Sequence, residues 1–326
     1  MDKLIILQVL GGVLALGLGA ELIVRSSINL ANIYKVSGYF IGFTIIALGT
    51  SLPELASTIQ ALQVANSLNI ALGNIIGSNI TNILLIIGMI SIIETINFPK
   101  NKKNESILLV LITLLVIGIF YYLTNIRIGS VNIIVIATVL LSVFFGYLLW
   151  QFKTEESNVN NNLEKKTYSQ FISYILLMIG LVFLIQGSKY FIIGSEQLAK
   201  IFNIPDEIIG LTLVALGTSL PELATGITAA LKKESNLAVG TILGSNVYNI
   251  VGIFSVILLM EGYNFPKSID VFIGSLLFMT FVTIIFALKI RFGLKIFNLQ
   301  PYKIEKKSGI LFLILYIFYI TYSYLN

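Results

Sequence analysis

The sequence predicts an all-α integral membrane protein of ten transmembrane helices, arranged as two inverted five-helix repeats with helices broken at the membrane midplane. Three observations carry that expectation. The 326 residues are 56% hydrophobic and only 11% charged, with a mean hydropathy of +0.93, whereas a soluble domain carries about twice that charge. Ten apolar segments can be drawn, each near the ~20 residues that a bilayer requires. Two fifteen-residue stretches, Gly42 to Ala56 (GFTIIALGTSLPELA) and Gly210 to Ala224 (GLTLVALGTSLPELA), agree at twelve positions.

The segments run Leu4–Val24, Tyr39–Val64, Ile70–Ile93, Ile107–Leu123, Val131–Trp150, Phe171–Tyr190, Ile208–Leu231, Leu237–Met260, Val271–Leu288 and Ile310–Tyr324. The first is long enough to stay in the membrane rather than serve as a cleaved signal. The polar run Lys153–Thr167, with its asparagine tract, separates a first repeat (1–152) from a second (168–326). With the N-terminus outside, 16 of the 21 Lys and Arg fall on the inner side, so the positive-inside rule places both termini outside and the 153–167 loop in the cytoplasm. Five helices per half is an odd number, so the halves enter from opposite sides and their similarity implies an inverted-topology repeat. The repeat continues beyond the first motif. Gly73 to Asn82 (GNIIGSNITN) matches Gly240 to Asn249 (GTILGSNVYN) at six of ten positions, and Glu94 to Lys100 matches Glu261 to Lys267 at five of seven.

Composition removes several function classes. There is no Cys and no His, hence no disulfide, thiolate or imidazole metal site, no histidine proton relay and no Ser-His dyad. The net charge of +5 is accounted for by the inner loops and not by a nucleic-acid surface. No cofactor motif occurs, and an enzyme is not expected. The expected setting is the cell membrane, as a multi-pass protein whose partners are the lipid bilayer and ions and which functions as a monomer.

The duplicated motif places Glu54 and Glu222 inside apolar segments, each directly after a proline. An intramembrane carboxylate marks a functional site by default. Pro53 has no N–H to give and crowds the turn before it. It therefore frees the Gly49 carbonyl and loosens Ala47 and Thr50, with Ser51 or Leu52 near the cap of a second half-helix. Pro221 does the same to Ala215 and Thr218, beside Ser219. Bare carbonyls persist at membrane depth only within protein or beside a cavity. Each Glu falls in the first turn of its half-helix, where the positive end of the dipole attracts negative charge. No Lys or Arg lies in 36–99 or 201–231. Two buried carboxylates without a counter-charge are costly or take up protons, and a bound cation resolves the problem. Carboxylate, hydroxyl and carbonyl oxygens suit calcium, magnesium or sodium.

Ser78 and Asn82 lie four residues apart, on one helix face, as do Ser245 and Asn249; both pairs are candidate neutral ligands. Asn79 and Asn246 read as structural. Gly73/Gly77 and Gly240/Gly244 read as close-packing pairs. Glu21, Glu94, Glu196 and Glu261 read as charges at helix ends.

At these motifs the chain resembles the calcium/cation antiporter superfamily, and within it the sodium/calcium exchanger branch in its short prokaryotic form. The resemblance covers essentially the whole chain. It implies calcium between Glu54 and Glu222 with backbone oxygens of Thr50 and Thr218, and sodium sites using Ala47, Ser51, Ser78, Ala215, Ser219 and Ser245. Proton-coupled relatives carry a Gly-Asn-Ala-x-Glu block where this chain has Gly-Thr-Ser-Leu-Pro-Glu, which favours sodium as the coupling ion. Asn249 stands where several relatives have Asp, which points away from a potassium requirement. The function implied is sodium/calcium antiport by alternating access, electrogenic. The alternative transport reading is a proton-coupled exchanger for calcium or another divalent cation; a cation channel is the alternative of another class.

Overall fold

A computed structural model describes residues 3–63, 68–99, 102–125, 130–155, 168–202, 215–261, 270–293 and 300–325. Among these, eight helical stretches are long and apolar enough to cross a membrane: Lys3–Tyr34, Gly38–Gln63, Leu68–Ile93, Asn104–Leu123, Asn132–Lys153, Gln170–Ile201, Ser235–Met260 and Ile273–Phe292. The expected seventh segment is described only from Ala215, and its long part, Leu220–Leu231, is shorter than a span. The expected tenth lies within a terminal helix, Lys306–Leu325. Most of the 153–167 loop and the Asn264–Lys267 copy of the Asn-Phe-Pro-Lys motif lie outside the described residues.

Helix α1 (Lys3–Tyr34) and its counterpart after the loop, Gln170–Ile201, exceed their expected ends by ten or more residues. Several polar residues that would otherwise end these helices are buried within them. Ser26 donates to the Leu22 carbonyl at 2.7 Å, and Asn29 donates to the Tyr168 carbonyl at 2.9 Å and to Ser173 Oγ at 2.7 Å. Glu21 is therefore mid-helix, where it pairs with Arg25 and, at 2.8 Å, with Lys232. The two long helices pack antiparallel along a glycine seam. A Cβ at Gly12 would lie 2.8 Å from the Gly187 carbonyl, and one at Gly19 would lie 2.7 Å from that of Gly180. Leu7, Leu14, Phe171 and Met178 project outward with more than half of their surface exposed, as lipid contact requires.

The remaining elements follow in chain order. After α1 come α2 (Gly38–Ile41), the π-helical turn π1 (Gly42–Ile46), α3 (Ala47–Thr50) and α4 (Leu52–Gln63). Next are α5 (Leu68–Thr81), π2 (Asn82–Ile86), α6 (Ile87–Ile93), β1 (Ile96–Asn97), α7 (Lys103–Asn125) and α8 (Ser130–Glu155). The second half holds α9 (Gln170–Ile201), α10 (Ala215–Thr218), α11 (Leu220–Leu231), α12 (Ser235–Val247) and π3 (Tyr248–Ile253). It continues with α13 (Phe254–Glu261), α14 (Asp270–Phe292), β2 (Lys303–Ile304) and α15 (Lys306–Leu325). The two strands pair antiparallel, Ile96 with Ile304 and Asn97 with Lys303, and join the first half to the second.

Helix α12 is the centre of the molecule: every residue from Leu237 to Val247 is buried. It presses against α2 and π1 because Gly240 and Gly244 have no side chain; a Cβ at either would collide with the Tyr39 or Phe43 carbonyl. The close-packing expectation thus holds for that pair. Around Gly73 and Gly77, no described atom lies within 4 Å of a built Cβ, and the segment that the repeat would set against them (207–211) is outside the described residues.

Candidate cation site at the two broken helices

Both signature motifs break at the serine. Ser51 takes φ −83°, ψ 2°, and Ser219 takes φ −89°, ψ 5°. The cause is the proline two residues on, which cannot donate to the carbonyl one turn back. The helix restarts at once, with Leu55 N–H on the Ser51 carbonyl at 3.1 Å and Leu223 N–H on the Ser219 carbonyl at 3.0 Å. Glu54 and Glu222 sit in the first turns of α4 and α11 and are fully buried.

A serine at a helix start normally accepts from the first-turn N–H groups. Ser219 makes no such bond. Its hydroxyl instead lies 3.4 Å from Glu54 Oε1, and the Ser51 hydroxyl lies 3.4 Å from Glu222 Oε1. Each break thus serves the carboxylate of the other half. Glu222 Oε1 also accepts from Ser245 at 3.2 Å, and Ser245 is 3.4 Å from Thr50 Oγ1.

Several oxygens are left over. Glu54 Oε2, Glu222 Oε2, Ser78 Oγ and Asn82 Oδ1 make no hydrogen bond among the described residues. The same holds for both amide atoms of Asn249. All five residues are at most 1% exposed. Buried polar atoms are nearly always paired, so unpaired carboxylate, hydroxyl and amide oxygens on these buried elements are what a candidate cation site would offer. Neither Glu54 nor Glu222 forms an ion pair among the described residues. Among the described residues there is no group of three or more acidic side chains placed to hold a metal ion, so neutral oxygens must complete any coordination shell.

The other expected ligands are placed as follows. Thr50, Thr218 and Ala47 are buried, and Ala215 opens α10. The Ala47 carbonyl is loosened less than the proline argument suggests, since it accepts the Ser51 N–H at 3.0 Å and the Thr50 hydroxyl at 3.4 Å. Asn82 opens π2 and Asn249 lies in π3, wider turns that recur at functional sites.

Asn74 contributes a connection that the motif reading passed over. Its amide donates to the Glu54 carbonyl at 3.1 Å and to Thr58 at 3.2 Å, and it accepts from Thr218 at 3.3 Å. It thereby ties the two motifs together. The signal was present in the Gly-Asn of the first repeat against the Gly-Thr of the second. Asn246, read as structural, accepts from the Asn82 amide at 3.0 Å and so touches a candidate ligand.

Comparison with known proteins agrees with this geometry. Residues 4–153 and 172–325 match the family described as sodium/calcium exchanger protein. An uncharacterised membrane protein of Methanocaldococcus jannaschii is 34% identical over 310 residues, covering 94% of this chain and 93% of its own. The sodium/calcium exchanger MaX1 of Methanosarcina acetivorans is 29% identical over 348 residues, with 95% of each chain covered. A solved structure of the sodium-calcium exchanger NCX_Mj, soaked with 10 mM Na+ and zero Ca2+, superposes with a TM-score of 0.81 at 31% identity, covering 98% of this chain and 99% of that one.

Proposed function

The chain belongs to the sodium/calcium exchanger protein family, and from that premise we propose that it is a secondary antiporter exchanging sodium for calcium by alternating access. Calcium is the cargo between Glu54 and Glu222, with carbonyl oxygens of Thr50 and Thr218. Sodium uses the flanking set Ala47, Ser51, Ser78, Ala215, Ser219 and Ser245, with Asn82 and Asn249 completing the shell. The observation that carries this reading is the reciprocal crossing of Ser51 to Glu222 and Ser219 to Glu54, beside oxygens that have no partner among the described residues. Two carboxylates balance one calcium or two sodium ions, so the two cargoes compete for one buried charge centre. Competition for one site, with an unfavourable unloaded state, is what couples the two fluxes. A channel is disfavoured because a single chain supplies both halves of the centre.

The same reading assigns ten membrane crossings, two inverted halves (1–152 and 168–326), both termini outside and a cytoplasmic 153–167 loop, working as a monomer. Because the chain has no cysteine, single cysteines at positions 100 and 267 report topology directly. They should react with an impermeant maleimide from opposite sides, and same-side labelling would refute the inversion. Transport is tested by calcium-45 uptake into proteoliposomes loaded with sodium. Uptake should follow the outward sodium gradient and disappear when sodium is equal on both sides; dependence on a proton gradient instead would assign the proton-coupled alternative.

A further inference from the structure

Four buried asparagines lie on α5, π2, α12 and π3, elements that pack against one another: Asn79, Asn82, Asn246 and Asn249. All are at most 1% exposed. The repeat relates Asn79 to Asn246 and Asn82 to Asn249, so symmetric halves would form two matching cross-pairs. Only one is formed. Asn82 Nδ2 donates to Asn246 Oδ1 at 3.0 Å. Asn79 instead turns its amide onto the Ile75 carbonyl of its own helix at 2.7 Å, and Asn249 has a partner on neither amide atom among the described residues.

We infer that Asn246 is a positioning residue for the cation site: by accepting from the Asn82 nitrogen it fixes that amide so that its oxygen is left for the ion. This rests on the function proposed above. An asparagine side chain carries two donor hydrogens on one end and an acceptor on the other, and only the acceptor end can face a cation. An unrestrained amide spends part of its time with the nitrogen toward the ion, which is repulsive. A bond that engages the nitrogen removes that orientation, as outer-shell partners do for metal-ligating side chains. Asn82 Oδ1 is the atom left unpaired, as the argument requires.

Plain helix-to-helix bonding is the competing account, since polar side chains bridge membrane helices generally. A bridge selected for adhesion would engage both amides fully. Here Asn246 Nδ2 and Asn82 Oδ1, both fully buried, have no partner among the described residues, so the contact orients more than it holds. The second half lacks the corresponding bond: Asn249 reaches neither Asn79 nor any other partner among the described residues. The two asparagine arms of the site are therefore unequal, one held by a cross-helix bond and one not, despite their common sequence origin.

The test uses the full-length protein in sodium-loaded proteoliposomes, with the calcium concentration for half-maximal calcium-45 uptake as the first readout. The second readout is the rise in melting temperature on adding calcium in detergent, which reports binding without transport. Asn246→Leu should raise the half-maximal calcium concentration about tenfold, the size typical of losing an outer-shell partner, and shrink the calcium-induced stabilisation, with the maximal rate little changed. Asn246→Asp, which keeps an acceptor for Asn82, should restore most of the affinity. Asn79→Leu should leave the half-maximal concentration where it is. A lower melting temperature or maximal rate with unaltered calcium dependence in Asn246→Leu would make the contact mere adhesion and overturn the inference. An equal shift in Asn79→Leu would overturn the asymmetry. If the wild type binds calcium but shows no sodium-driven uptake, the antiport reading fails alone, and the binding readout still decides the role of Asn246.

Discussion

The Ser51 hydroxyl lies 3.4 Å from Glu222 Oε1, across the boundary between the two halves, and Ser219 stands in the same relation to Glu54 at the same distance. Equal geometry predicts equal cost. Ser51→Ala and Ser219→Ala should each raise the half-maximal calcium concentration roughly tenfold, the scale of a ~1.4 kcal/mol loss at a charged acceptor. The measurement is calcium-45 uptake across a calcium titration. A large effect in one variant and none in the other would break the reciprocal arrangement.

Glu54→Gln and Glu222→Gln should each abolish sodium-driven calcium uptake. Either change removes one of the two buried charges that balance calcium, and in a water-poor site that loss amounts to several kcal/mol. Folding is checked by monodispersity and melting temperature in detergent. Near-normal uptake by a folded variant would remove the carboxylate pair from the centre of the mechanism.

Lys102 is a structural partner and not simply a loop charge. Its Nζ lies 2.6 Å from Glu155, with side-chain exposures of 10% and 5%, and 3.0 Å from Gln151 Oε1. It also lies 5.5 Å from the centre of the Tyr39 ring. Breaking a buried pair from one side strands a charge, so Lys102→Met should cost about 3–5 kcal/mol of stability. The double variant Lys102→Met, Glu155→Leu should recover most of it, because nothing charged is then left alone. Thermal unfolding of the three proteins in one detergent decides; an unaltered midpoint in Lys102→Met would show that the pair contributes nothing.

Exchange of three sodium ions for one calcium would make turnover sensitive to voltage. Three sodium ions leaving for one calcium taken up move one positive charge outward, at about 2.3 kcal/mol per 100 mV. An inside-negative potential should therefore slow calcium uptake into sodium-loaded vesicles, and an inside-positive one should speed it. Potassium with valinomycin sets the potential. No response would fix the ratio at two for one.

The duplicated Gly-Thr-Ser-Leu-Pro-Glu block is a local fact, and local chemistry makes it legible. A proline after a polar cluster breaks a helix wherever the chain goes, so the breaks at Ser51 and Ser219 and the placing of Glu54 and Glu222 in fresh first turns followed from the sequence. So did the membrane setting, since apolar runs of span length have no other stable use. The ends of α1 and α9 did not follow, because Asn29 continues a helix only when Ser173 and the Tyr168 carbonyl are there to meet it. The partners of the site side chains did not follow either. Nothing local tells that Ser51 serves Glu222 and not Glu54, that Asn74 ties Glu54 to Thr218, or that Asn246 engages Asn82 while its repeat twin Asn79 turns to its own helix. Two copies of a motif have equal local propensities. Which hydroxyl or amide each side chain reaches depends on how the helices cross, and that is set by packing between segments well over a hundred residues apart.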